Sequence, residues 1–206
     1  MAGFPVFAAS PAGAESTRVV SARPIANDDS YDVYASGAYL LDVLANDDTS
    51  FLSSGDLSLC GVSVDDANST VLYAEIDRTD PTKVYFETNR VAQGVFSFTY
   101  DACQGDQRDT STVTVAVDRL ITPTVGKREN RRGQLSATNP NSDDLQILWG
   151  SNRTNAVDGE RRIRSGRTVK IKVERRRVYW VAYLRDQGAV VVAGEGTVKK
   201  IRKPKN

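Results

Sequence analysis

Apolar residues in this chain recur with a period of two, in short runs, and no stretch keeps the period of a helix over a useful length. The run Gly94-Val95-Phe96-Ser97-Phe98-Thr99-Tyr100 shows the pattern most plainly. In an extended chain Phe96, Phe98 and Tyr100 stand on one side and Val95, Ser97 and Thr99 on the other, so one face offers aromatic rings to a core while the other stays mostly small and polar. Similar runs occupy Tyr31 to Tyr34, Tyr39 to Leu44, Leu57 to Val64, Val71 to Ile76, Lys83 to Glu87 and Ser111 to Asp118, with Gly, Asn, Asp and Ser clusters between them. Seven short strands punctuated by turns predict a β-sandwich. Its core is expected to hold those aromatics with Leu41, Val43, Leu57, Leu59, Val113, Val115 and Val117.

The second half reads as strands again. Gln134 to Asn139, Leu145 to Trp149, Thr168 to Val173, Arg177 to Leu184, Ala189 to Ala193 and Thr197 to Ile201 alternate, while Asn139 to Asp144 and Asp158-Gly159 are turns by composition. A chain of 206 residues suits two domains of roughly 100 residues each. The expected division is an acidic sandwich over 24–118, a short proline-containing linker over 119–126 and a smaller basic sandwich over 127–206. Charge sharpens it: residues 15–118 carry a net −12 and residues 119–206 a net +13, which the overall +1 conceals. Such an asymmetry points to separate electrostatic partners, or to an acidic domain and a basic domain that attract each other. The tail Lys199-Lys200-Ile201-Arg202-Lys203-Pro204-Lys205 is expected to be solvated and frayed at its end.

Residues 1–14 resemble the end of a secretory signal: Ala2 to Ala14 is small and apolar and closes on Ala12-Gly13-Ala14, an A-x-A pattern, although no basic segment precedes it. Cleavage is expected between Ala14 and Glu15, followed by a polar linker over 15–23, in a secreted or cell-surface protein. No other run approaches the roughly 20 apolar residues that span a membrane. Cys60 lies in one strand run and Cys103 just beyond another. In an oxidising compartment they pair as a disulfide, and otherwise they are two buried thiols.

The stretch Pro24 to Asp48, PIANDDSYDVYASGAYLLDVLANDD, resembles the opening of bacterial Ig-like, cadherin-like repeats, which occur in tandem in large secreted and cell-surface proteins and begin P-x-A-x-D-D-x-Y before continuing into D-V-L-A-N-D. Gly94 to Tyr100 is similar to their G-x-x-S-F-T-Y strand, and Asp109 to Val117 to their closing D-T-A-T-V-T-V-x-V. Between these, Asp101 to Asp106 fits the glycine-containing hairpin loosely. The resemblance covers residues 24–118 and implies an Ig-like sandwich; with the strands of the second half, the expected fold is all-β, two Ig-like β-sandwich domains in tandem. Cadherin-like repeats often hold calcium between domains. Here their N-D-x-D-x-D-G-D ladder is replaced by Asn46-Asp47-Asp48-Thr49-Ser50-Phe51-Leu52-Ser53-Ser54-Gly55-Asp56, which removes two ligands.

Histidine is absent, which excludes Ser-His and Cys-His nucleophile pairs and the commonest transition-metal ligand. Two widely spaced cysteines make no zinc site. Two constellations remain. Asn27, Asp28, Asp29, Asn46, Asp47, Asp48 and Asp56 supply the hard oxygens that calcium takes, or else serve as Asx turns at strand ends. Arg161, Arg162, Arg164, Arg167, Lys170, Lys172, Arg175, Arg176 and Arg177 form a basic stretch interleaved with Trp149, Tyr179, Trp180 and Tyr183, which suits an anionic polymer or a solvated face. The expected function is therefore a non-enzymatic structural or adhesion module, secreted or on a cell surface, that presents an acidic and a basic β-domain to other proteins or to an anionic cell-surface polymer. Self-association, acidic end to basic end, would instead make it a subunit of a filament or virion surface. Nucleic acid is not the expected partner, because no RNA-binding signature accompanies the basic residues, and calcium is the one cofactor considered.

Overall fold

The structure, a computed structural model, describes residues 23–49, 56–151 and 157–202. The segment Ala2 to Ala14, the expected cleavage after Ala14, Ser50 to Gly55 of the acidic ladder and the tail from Lys203 lie outside the described residues. Within them the protein is all-β, two Ig-like β-sandwiches in tandem.

The first sandwich contains β1 (Pro24–Ile25), β2 (Asp29–Tyr34), β3 (Ala38–Leu41), β4 (Asp48–Thr49), β5 (Ser58–Val64), β6 (Leu72–Ile76), β7 (Val84–Thr88), β8 (Gly94–Gln104) and β9 (Gln107–Asp118). One layer has the order β2-β9-β8-β5 and the other β3-β7-β6, while β1 and β4 form a two-residue ladder. β2 joins β9 in parallel and the remaining pairs are antiparallel. Alternation drives this packing: Val113, Val115 and Val117 are fully buried while the residues between them are not, as a pleated strand with one face on a core requires. Phe86 and Phe98 stack across the layers with ring centroids 5.7 Å apart, beside Tyr39, Leu41, Val43 and Tyr100. Phe96 and Leu57, expected in the core, are half-buried at its margin.

The second sandwich contains β10 (Thr124–Lys127), β11 (Gln134–Thr138), β12 (Leu145–Gly150), β13 (Val157–Ile163), β14 (Thr168–Lys172), β15 (Arg177–Asp186) and β16 (Ala189–Lys199). Its layers are β13-β12-β15-β16 and β10-β11-β14. Leu135, Leu145, Ile147, Ile163, Ala182 and Val191 are buried between them.

Several expectations are corrected. The run Tyr39 to Leu44 stops being a strand at Leu41, and Val43 reaches the core from a turn. Cys103 lies inside β8, which runs on to Gln104 before the hairpin turn at Gly105. Asp158-Gly159 is not a turn but part of β13; Gly159 is tolerated there because a Cβ would come within 2.3 Å of the Trp149 ring, which lies over it. Ala189 to Ile201 holds one long strand rather than two, since Gly194 and Gly196 make room for Thr122 and Trp180. The tail up to Arg202 is pinned: Ile201 is buried and donates its N–H to the Arg176 carbonyl, and the Arg202 carbonyl accepts from Gly133. Strand β10 begins inside the stretch read as linker.

The joint between the sandwiches is built by two asparagines in the turn after β11. Asn141 accepts from the Ile121 N–H at 2.7 Å and donates to the Ile121 carbonyl at 2.9 Å, which clamps the connecting segment. Asn139, with no exposed surface, holds that turn by donating to the carbonyls of Asp143 and Ile163 and accepting from the Asn141 backbone and side chain. Across the joint, the Tyr34 hydroxyl donates to Asp143, the Tyr39 hydroxyl to Asp186, and the Gln187 side chain to the Asp32 carbonyl at 2.9 Å.

Two consequences can be measured. Asn139→Ala strands the buried Ile163 carbonyl, releases the part-buried Asp143 carbonyl and frees Asn141, so urea unfolding should show the second sandwich destabilised by about 3 kcal/mol with the first unaffected. Cys60 and Cys103 are bonded, with Cα atoms 5.9 Å apart and 43 residues between them in sequence. Reduction should therefore lower the stability of the first sandwich by about 4 kcal/mol on the chain-entropy account; an unchanged denaturation midpoint after reduction would contradict it.

Candidate functional site

The two Asn-Asp-Asp turns meet at the end of the first sandwich farthest from the joint, because β2 leads from Asp29 toward Tyr34 while the turn after β3 returns the chain to β4 beside β1. Local hydrogen bonds fasten them. Asn27 donates its side chain to the Asn46 carbonyl, Asn46 donates back to the Asp28 carbonyl, and the Asn27 N–H donates to Asp47 Oδ1 at 2.8 Å. Asp28 Oδ1 accepts from the Ser111 hydroxyl and the Thr112 N–H, and Asp109 accepts from the Ala26 N–H. The Tyr100 hydroxyl lies 2.8 Å from Asp47 Oδ1 and 2.9 Å from the Asn27 carbonyl. Of the seven residues named for calcium, five converge here, and Asn27, Asp28, Asn46 and Asp47 act as cross-links between distant turns and strands rather than as Asx turns within their own. Asp48 and Asp56 are exposed. Among the described residues no group of three or more Asp, Glu or Cys side chains is arranged to hold a metal ion.

These interactions separate the carboxyl groups electrostatically. The hydrogen bond from Ser111, then that from Thr112, holds Asp28 below the ordinary carboxyl range. Burial, then the neighbouring Asp47 charge, pushes Asp29 up to about 6, and burial also raises Asp47. Asp29 Oδ2 and Asp47 Oδ2 are buried without a hydrogen-bond partner.

The nine basic residues do not make one surface. β13 and β14 carry them along the length of the second sandwich. Arg162, Arg164 and Arg167 sit toward the joint, where Arg162 pairs with Asp144. Arg161 lies midway and donates to the Lys170 carbonyl at 2.8 Å. Lys172, Arg175, Arg176 and Arg177 lie at the opposite end, where Arg175 pairs with Asp158 at 2.9 Å. There they meet Arg131 and Arg132 from the β10–β11 turn, which the sequence did not single out, and Lys199, Lys200 and Arg202 from the end of β16, which it read only as a solvated tail. Clustered charge in the stretch Lys127 to Arg132, between two strand runs, was the legible signal of a basic turn, but nothing in the linear order ties it to residues some 70 positions later.

This basic pole borders an open groove of about 850 Å³ lined by Trp149, Asp158, Lys172 and Arg175 to Arg177. Trp149 also lines a side groove with Arg161, Lys170 and Lys172. It is half-buried, and its indole forms an aromatic wall between cations. Trp180, its cross-strand neighbour, is buried in the core, while Tyr179 and Tyr183 are half-exposed and Tyr183 donates to Glu160. Among the described residues every ion pair stays within its own sandwich. Hydrogen bonds from Tyr34, Tyr39 and Gln187 join the two halves.

No protein-family model matches the chain, and no curated protein matches it. Among solved structures it is similar to a SusE-like surface-located polysaccharide-binding protein of Bacteroides thetaiotaomicron, at 10% identity over 85% of this chain and 34% of that one, with a TM-score of 0.39. It is also similar to extracellular cadherin domains 1–5 of protocadherin gamma B2 (13% identity, 86% of this chain, 39% of that one, TM-score 0.32) and to domains 3 and 4 of rat CD4 (6%, 84%, 99%, TM-score 0.26). The chain spans less than half the length of the first two. Likeness this slight says nothing about activity or partners.

Asp29 keeps its proton to about pH 6 in the fold, against 3.8 for an ordinary aspartate. The stability conferred by that protonation is complete below pH 3.8 and is lost as pH rises through about 6. Asp29→Asn keeps a neutral acceptor, so it should melt a few degrees above the parent at pH 7.5 and coincide with it near pH 4. A variant that is less stable at pH 7.5 would mean that the charged carboxylate is needed there.

Proposed function

We propose that this chain is a non-catalytic module of a secreted or cell-surface protein and that it works by holding an anionic macromolecule at its basic pole. The observation that carries the reading is the convergence, at the end farthest from the joint, of Arg132, Arg176, Arg177, Lys199, Lys200 and Arg202, all exposed and without side-chain partners among the described residues. Like charges so crowded destabilise a free surface, and an anionic partner relieves them. The half-buried Trp149 beside the groove adds apolar contact to the charge.

Further features support the setting. A disulfide persists in an oxidising compartment, and here it closes a loop in the acidic sandwich. No helix among the described residues is long and apolar enough to cross a membrane. The acidic carboxylates are engaged as turn fasteners rather than paired across a cleft, which favours binding over hydrolysis. Calcium is left with Asp29 and Asp47 as its best-supported ligands, and thermal melts with calcium and then with a chelator test that role by mass action.

Retention on immobilised dextran sulfate is the direct test. Each cation in contact contributes a counterion-release slope of order 0.9, so four contacts should weaken binding by about tenfold for each doubling of salt. Arg132→Gln/Arg176→Gln/Arg177→Gln should abolish retention, whereas Arg164→Gln, toward the joint, should leave it intact. Absence of binding at low salt would end the reading.

A further inference from the structure

We infer that the anionic partner that fits the basic pole is the acidic pole of a second copy of this chain, so that copies join head to tail into open linear arrays. The inference rests on the reading of the basic pole given above and names its occupant.

Strand direction carries the argument. β2 begins at Asp29 and ends at Tyr34, which meets Asp143 across the joint; β15 begins at Arg177 and ends at Asp186, which meets Tyr39. The acidic turns therefore lie at one extremity of the molecule and the basic turns at the other. β15 alone spans 10 residues, or roughly 30 Å, between the basic pole and the joint. That exceeds the Debye length of about 8 Å at physiological salt several times over, so the two poles of one molecule do not neutralise each other. Neutralisation has to come from outside.

The acidic pole is equipped for it. Asp42, Asp48, Asp56 and Asp106 are exposed there and have no side-chain partner among the described residues: Asp42 follows β3, Asp48 lies in β4, Asp56 precedes β5 and Asp106 tips the β8–β9 hairpin. An exposed apolar residue also lies toward each end of the molecule. Ile25 in β1 is 47% exposed beside Asp48, and Val157 at the start of β13 is 54% exposed beside Gly150 and Trp149.

Charge also selects the symmetry. A two-fold dimer through either pole would oppose like charges, whereas pole to opposite pole is attractive. Such a contact joins unlike surfaces at opposite ends of the molecule, and a heterologous contact of that kind propagates rather than closing on itself.

The full chain should therefore show, by size exclusion with light scattering, a mass that rises with concentration to several times the monomer at about 20 mM salt and falls to the monomer at about 300 mM, where screening is short-ranged. Soluble dextran sulfate, by capping basic poles, should dismantle the arrays without any substitution. Arg176→Gln/Arg177→Gln/Arg202→Gln and Asp48→Asn/Asp56→Asn/Asp106→Asn should each be monomeric alone, and their equimolar mixture should give dimers and nothing larger, since each retains one working pole. A wild-type chain that stays monomeric at low salt yet binds immobilised dextran sulfate overturns the inference and leaves the binding reading standing. A chain that does neither overturns both, and a closed dimer that persists in both variants overturns the head-to-tail geometry.

Discussion

Asn141 pairs with both backbone groups of Ile121, and the rest of the architecture depends on that clamp. A connecting segment with free N–H and C=O groups would leave the sandwiches to adopt many angles. Here the segment is tied to a turn that Asn139 in turn anchors to β13 through the Ile163 carbonyl, inside a pocket with no exposed surface. Buried amide networks are costly when incomplete and rigid when complete, and this one has a partner for every Asn139 side-chain group. With the linker held, Tyr34 and Tyr39 reach aspartates of the second sandwich, and the two sandwiches follow each other along the chain with their charged ends pointing apart.

Electrostatics explains why the joint is made of neutral donors. Asp143 and Asp186 lie on one side of it and Asp32 and Asp118 on the other, so the interface gathers acids rather than matching acids with bases. Burial, with the nearby Asp143, raises Asp186, and a tyrosine hydroxyl is the donor that satisfies such a carboxylate without introducing a charge. The two sandwiches carry opposite net charges, −12 over residues 15–118 and +13 over residues 119–206, with exposed Asp48, Asp56 and Asp106 at one pole and Arg132, Arg176 and Lys200 at the other. A molecule so divided behaves as a large dipole, and its associations should be governed by ionic strength more than by apolar area.

Much of the strand map was legible because alternation is a local property. Phe98 and Tyr100, Val113, Val115 and Val117 take the buried positions that a period of two assigns them. The errors share a cause. Gly159 read as a turn residue, and Gly194 and Gly196 fell between two strand runs, yet each is in a strand because a ring or a methyl group from elsewhere fills the space where a side chain would be. Asn139 and Asn141 read as turn composition and proved to be the buried fastening of the joint, a role visible only once Ile121 and Ile163 stand beside them. Likewise the nine basic residues form one cluster in the linear order, but strands β13 and β14 spread them from joint to pole.

Period-two patterning and the uneven division of charge determined, from the sequence alone, that the protein is all-β, that two sandwiches follow each other, and that one is acidic and the other basic. Which residues share a surface was decided only by tertiary structure. Strand direction and register bring Arg132, Arg176 and Lys200 together across long separations in sequence and carry Arg164 away from Arg177 despite their proximity in it. A charge counted along a chain has a sign but no position, and position relative to the joint is what turned two opposite charges into two opposite poles.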